Sequence, residues 1–143
     1  MQEKKQQQIE WALRLSTGIM YIYSGVDLFR HPSSWTWALP YWLRGIIGKV
    51  IEINLYIQIQ GIIEIIFAVI FLLWIIPRPV VKWFALLSAV EFAAILVLGF
   101  MPWSATNFTT TFRDIGLLGG SLALYFLLVE KKDNGIISTN NQS

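Results

Sequence analysis

The chain has no cysteine among its 143 residues. That excludes internal disulfides, thiol–disulfide relay chemistry and thiolate metal sites. It has one histidine, His31. A b-type haem held by two histidines, or a multi-histidine copper site, therefore cannot come from one copy. Charge is also scarce. Asp, Glu, Lys and Arg make up 14% of the chain, against about 25% in ordinary soluble proteins. The net charge is +2, too small to argue for nucleic acid as a partner.

Hydrophobic residues make up 55% of the chain, arranged in long runs rather than as the scattered core of a soluble domain. Their length implies one domain, a membrane domain over residues 9–129. The run that organises the rest is Leu55 to Ile76. At about 1.5 Å rise per residue it is long enough to cross a hydrocarbon core of about 30 Å. Near its middle stands Gly61-Ile62-Ile63-Glu64. A charged side chain at that depth costs roughly 2.5–3.5 kcal/mol on insertion scales, so it persists only paired or protonated.

Residues 1–8 read as a polar head with Lys4 and Lys5. The first apolar run covers 9–29. A cleaved signal peptide is the rival reading, but Arg14 interrupts the run, the run is too long, and no small-x-small site follows. Gly18, Gly25, Tyr21 and Arg14 share one stripe, a surface that another helix can approach closely. His31-Pro32 and Leu39-Pro40 then break the chain. Trp35, Trp37, Tyr41 and Trp42 crowd the connection. From Tyr41 to Asn54, apolar residues at helical spacing predict an amphipathic helix on the membrane surface. Pro77-Arg78-Pro79 makes a tight turn. A third crossing covers 80–101 with Glu91 near its centre, and Pro102 stops it. Trp103 to Thr111 is an uncharged polar loop. The fourth crossing, 112–129, opens with Arg113-Asp114 and shows a small-residue stripe of Gly116, Gly119, Gly120 and Ala123. Residues 130–143 read as a flexible polar tail. The fold expected is all-α, a four-helix transmembrane bundle with an amphipathic interfacial segment between helices 1 and 2.

Lysine and arginine in the short loops set the orientation. Lys4, Lys5, Arg78, Lys82, Lys131 and Lys132 lie on one side, and Arg30, Arg44 and Lys49 on the other. This places a multi-pass protein in the cell membrane with both termini cytoplasmic. Trp11, Trp74 and Trp83 fall at the inner boundary and Trp35, Trp37, Trp42 and Trp103 at the outer, where indole rings are favoured.

Ionisable residues inside or at the rims of the crossings are the candidate site residues. Glu64 and Glu91 lie near the midplane, Gln60 stands one turn from Glu64, and Arg14 lies about a turn in from the inner rim. Asp27, Arg113 and Asp114 lie at the outer rim. Two facing carboxylates at low dielectric do not both ionise. A protonated acid there can donate a hydrogen bond to a quinone carbonyl or pass a proton. Equally, a protonated Glu64 bonded to Gln60 or to a backbone carbonyl is helix glue, and Asp27 with Arg113 is a pair closing the bundle. No catalytic residue and no metal ligand is assigned.

Three motifs carry a resemblance. Gly25-Val26-Asp27, followed by Arg30-His31-Pro32, resembles the end of the first helix in DoxX/DoxD-family membrane proteins. Gly61-Ile62-Ile63-Glu64 is similar to that family's Gly-x-x-Glu in the second helix. Arg113-Asp114-Ile115-Gly116-Leu117-Leu118-Gly119 is similar to the opening of its fourth. Where the family often has lysine after the first-helix acid, this chain has Leu28. The resemblance spans nearly the whole chain. It implies an accessory subunit of a quinone-linked oxidoreductase system, with quinone as the one cofactor suggested. The partner it implies is a redox subunit. The apolar runs make the lipid bilayer another partner, and a second copy is an open alternative. A small-molecule or proton transporter and a structural assembly factor remain alternatives, and whether the chain is an enzyme stays open.

Overall fold

The computed structural model describes residues 2–99 and 114–129. Among them the chain is entirely helical. Helix α1 covers Gln2–Arg30, a 3-10 helix covers Pro32–Ala38, α2 covers Tyr41–Ile47, α3 covers Ile53–Leu72 and α4 covers Arg78–Gly99. Helix α5 covers Asp114–Val129. Helices α3 and α4 are long and apolar enough to cross a membrane, and α5 is shorter. The Trp103–Thr111 loop, Arg113 and the 130–143 tail lie outside the described residues.

The polar head is the start of α1 rather than a separate piece. Its Glu, Lys and Gln residues favour helix, and Lys4 and Lys5 stand exposed on it. Pro32 lacks a backbone N–H and follows the last turn, where His31 N–H donates to Asp27 O at 2.8 Å. The amphipathic helix expected from Tyr41 to Asn54 is shorter. It ends at Gly48, where the chain turns, and α3 begins at Ile53. Neither the 3-10 helix nor α2 contains a fully buried residue. Together they form a cap rather than a spanning element. Helix α3 stops at Leu72, four residues short of the expected Ile76, and the Phe71 and Leu73 carbonyls at its end accept from a side chain of α1. Helix α4 begins inside the Pro77-Arg78-Pro79 turn, since proline is well suited to a helix's first turn.

One hydrophobic cluster joins the four longer helices. Tyr21 comes from α1, Ala68 and Phe71 from α3, Val81, Ala85 and Phe92 from α4, and Leu124 and Leu128 from α5. The Tyr21 ring packs against Phe67 and Phe92 at centroid distances of 5.3 and 5.5 Å. Helices α1 and α3 meet most closely at Gly25 and Gly61, where neither could carry a side chain without meeting the other's backbone. The glycine stripe on α5 behaves differently. Asp114, Ser121, Leu124 and Leu128 turn inward, while nothing lies within 4 Å of a Cβ built on Gly116, Gly119 or Gly120. That stripe is not a packing face among the described residues.

Several polar side chains are buried beside this cluster, while many large apolar ones are exposed. Buried polar residues include Glu10, Arg14, Thr17, Glu64, Ser88, Asp114 and Ser121. Exposed apolar and aromatic residues include Ile9, Ile19, Ile22 and Tyr23 on α1, Ile62, Ile66 and Val69 on α3, and Leu87, Val90 and Val97 on α4. The described tryptophans gather at two ends. Trp11 and Trp74 stack at 4.2 Å where α1 begins and α3 finishes, and Trp35 and Trp37 stack in the cap.

Candidate functional site

A cavity of about 270 Å³ lies between the cap and the helices. Trp35, Trp37 and Leu39 border it on the cap side, and Ser24 and Leu28 come from α1. Helix α3 contributes Tyr56, Ile57, Gln60 and Glu64. Those residues recur at three- and four-residue intervals, which sets them on one face of the helix. Glu91, Phe92 and Ile95 come from α4 and Asp114 from α5. The lining is mostly apolar and aromatic with a few polar groups, the usual make-up of a small-ligand site.

Four of the seven candidate residues therefore converge: Gln60, Glu64, Glu91 and Asp114. Glu64 and Asp114 are both buried. Glu91 accepts from Gln60 Nε2 at Oε1, 2.7 Å away. Its Oε2 lies 2.8 Å from the Tyr21 hydroxyl. Gln60 thus bridges α3 to α4 through this bond. Beyond Tyr21 the network continues to Ser88 Oγ at 2.8 Å, and from there to Ser121 Oγ at 2.8 Å.

Arg14 is not at this cavity. It lies at the other end of α1, with 2% of its surface exposed. Its Nε donates to Phe71 O at 2.9 Å and its Nη2 to Leu73 O at 2.8 Å. Both oxygens are carbonyls at the C-terminal end of α3, which lack partners inside the helix. Arg14 Nη1 stands 3.4 Å from Glu10 Oε1, and Glu10 Oε2 stands 3.3 Å from Arg78 Nε. This ion-paired group fastens the start of α4 to α1 and α3, a structural task.

Asp27 serves the cap. Its Oδ2 accepts from Trp35 Nε1 at 2.8 Å, and its Oδ1 lies 2.9 Å from His31 Nδ1. The expected pair with Arg113 falls outside the described residues. Among those described, no group of three or more His, Cys, Asp and Glu side chains could hold a metal ion.

Four participants escape a reading of candidate acids and bases: Tyr21, Ser88, Ser121 and Glu10. Signals for three of them exist. Tyr21 shares its stripe with Gly18, Gly25 and Arg14, and so had to face another helix. Ser88 precedes Glu91 by three residues and shares its face. Glu10 precedes Arg14 by four, the spacing of a helical ion pair. Ser121 carries no such mark. No protein-family model matches the chain, and no curated protein and no solved structure matches it.

Proposed function

We propose that the protein is a multi-pass membrane protein in which α1, α3, α4 and α5 form a four-helix transmembrane bundle, with both termini cytoplasmic. The outward-facing isoleucine, leucine and valine side chains support this, since an apolar surface of that extent is not left open to water. Helix α1 carries charges, yet Glu10 and Arg14 turn inward as a pair, and its outer face presents Ile9, Ile19, Ile22 and Tyr23. Intramembrane charges that face the bundle interior and pair with one another are the tolerated kind.

Within that bundle the cavity is read as a binding site for a quinone or lipid-like head group. The chain then acts as an accessory subunit of a quinone-linked oxidoreductase system, as the resemblance to DoxX-family proteins suggests. The observation that carries this reading is the convergence of Gln60, Glu64, Glu91 and Asp114 on one largely apolar cavity beneath two tryptophans. Gln60 and a protonated carboxyl supply the donors that a quinone carbonyl needs, and the cap supplies aromatic faces. Any metal or flavin belongs to a partner subunit in this reading.

The test is to purify the protein in mild detergent, extract and quantify bound quinone, and titrate the stripped protein with a short-chain ubiquinone. Native protein retains quinone, and Glu64→Gln weakens binding about tenfold, or ~1.4 kcal/mol, with unchanged thermal stability. Equal affinity in the variant removes the proposal.

One observation favours a second reading as a small-molecule or proton transporter. Glu10, Arg14, Thr17 and Tyr21 are all buried along one face of α1, a polar column through the bundle. Flux of protons or substrate in liposomes supports that reading, whereas an accessory subunit shows none.

A further inference from the structure

Glu91 stands where the cavity meets a buried chain of hydroxyls. On the cavity side Oε1 accepts from Gln60 Nε2. On the other side Oε2, the Tyr21 hydroxyl, Ser88 Oγ and Ser121 Oγ follow one another at 2.8 Å steps. Ser88 and Ser121 have no exposed surface and Tyr21 has 2%. The chain links α1, α4 and α5, and Gln60 adds α3.

A tyrosine hydroxyl has one proton and donates once. Tyr21 cannot donate to Ser88 and Glu91 together, so one of the two contacts runs toward it. Two arrangements of the hydroxyl protons fit these contacts. With Glu91 ionised, Ser121 donates to Ser88, Ser88 to Tyr21, and Tyr21 to Oε2. With Glu91 protonated on Oε2, Glu91 donates to Tyr21, Tyr21 to Ser88, and Ser88 to Ser121. Among the described residues Ser88 Oγ is the hydrogen-bond partner of Ser121 Oγ, so in that arrangement the chain ends at the Ser121 proton. Gain or loss of one proton at Glu91, with three hydroxyl rotations, interconverts the two. Neither serine nor the tyrosine ionises, and each hydroxyl keeps its proton.

We propose that Glu91 is a proton-exchange site in the cavity wall, and that Tyr21, Ser88 and Ser121 form a reversible hydrogen-bond chain supporting both of its charge states. A proton reaches Glu91 from water or from a protonated group in the cavity, forming one O–H bond as the donor's O–H bond breaks. Rotation of the carboxyl then turns that proton toward Tyr21, and the hydroxyls reverse. Oppositely, Tyr21 turns its own proton toward the carboxylate as Glu91 releases one to the cavity. Glu91 is the exchanging group, and Tyr21 is a positioning residue. Among the described residues, the other titratable groups that border the same cavity are Glu64 from α3 and Asp114 from α5. The inference rests on the network and not on the identity of the ligand.

The experiment is infrared titration of the full chain in lipid nanodiscs, without quinone, from about pH 4 to about pH 10. The protonated-carboxyl stretch is followed in water and in deuterium oxide. Native protein shows a deuterium-sensitive carboxyl band that fades as pH rises. Glu91→Gln removes one carboxyl's share of that band, whereas Glu64→Gln leaves the Glu91 component in place. Tyr21→Phe keeps the component but moves its frequency, and moves its midpoint by roughly half a pH unit or more. Ser88→Ala, a smaller change that spares the Tyr21 ring packing, moves it less. An unaltered titrating band in Glu91→Gln overturns the proposal. So does a Glu91 component that fails to titrate in this range, or one indifferent to both Tyr21→Phe and Ser88→Ala. Because no quinone is present, loss of quinone binding in Glu64→Gln is decided separately.

Discussion

Gly25 and Gly61 face each other so closely that a Cβ on either would come within 2.7 Å of the other's carbonyl oxygen. The obstruction is backbone, not the flexible end of a side chain, so neither helix can yield without moving as a whole. Gly25→Ala and Gly61→Ala should each destabilise the fold by about 1–3 kcal/mol, the usual range for overpacking. Thermal unfolding in detergent reads the effect. Gly61→Ala should also disturb the cavity, because Glu64 lies one turn away on the same helix.

The glycines of α5 should respond with the opposite sign. Among the described residues nothing stands within 4 Å of a Cβ built on Gly116 or Gly119. Alanine there removes backbone freedom from the unfolded chain and favours helix by about 0.5–1 kcal/mol. Gly119→Ala should therefore leave the melting temperature unchanged or raise it. A clear loss of stability would show that this face is covered.

Arg14 should prove indispensable to stability and irrelevant to the cavity. Arg14→Met leaves two helix-end carbonyls without their donor and weakens the compensation of buried Glu10, a loss of about 3–5 kcal/mol. Arg14→Lys should not restore it. A single ammonium cannot serve Phe71 O, Leu73 O and Glu10 in the directions a planar guanidinium does. The measurement is the melting temperature of both variants, with bound quinone per folded protein unchanged in whatever fraction folds.

Asp27 should govern the cap alone. It holds Trp35 and His31, and neither cap helix buries a residue fully. Asp27→Ala should speed backbone hydrogen exchange across residues 33–38 while costing less than about 1 kcal/mol of global stability, as expected away from a packed core. Asp27→Asn should fall between, since its single carbonyl oxygen replaces two carboxylate oxygens as acceptor.

Some of this is legible in the sequence, and the rest is hidden for identifiable reasons. Acids and amides inside apolar runs are conspicuous, so Gln60, Glu64, Glu91 and Asp114 stand out from their neighbours along the chain, and the cavity unites them. Partnership is another matter. Gln60 lies one turn from Glu64, yet its Nε2 donates to Glu91 on another helix at 2.7 Å. Tyr21 and Ser88 look like ordinary members of apolar helices until tertiary packing brings α1 against α4. Leu73 to Ile76 are as apolar as the run that precedes them, so hydropathy does not mark where α3 ends. The partner of its terminal carbonyls, Arg14, stands 57 positions from Phe71. The glycines of α5 show that small residues permit close approach without requiring it.

The claim on which the rest stands is that polar side chains point into the bundle and apolar ones into hydrocarbon. The absence of native cysteine makes single-cysteine scanning direct. Membrane-impermeant maleimide should label Ser34→Cys in intact cells and Lys5→Cys only after lysis, and should leave Ile19→Cys and Ile22→Cys unlabelled in either case. Ready labelling of Ile19→Cys and Ile22→Cys in unpermeabilised membranes, or of Lys5→Cys without lysis, would contradict the account.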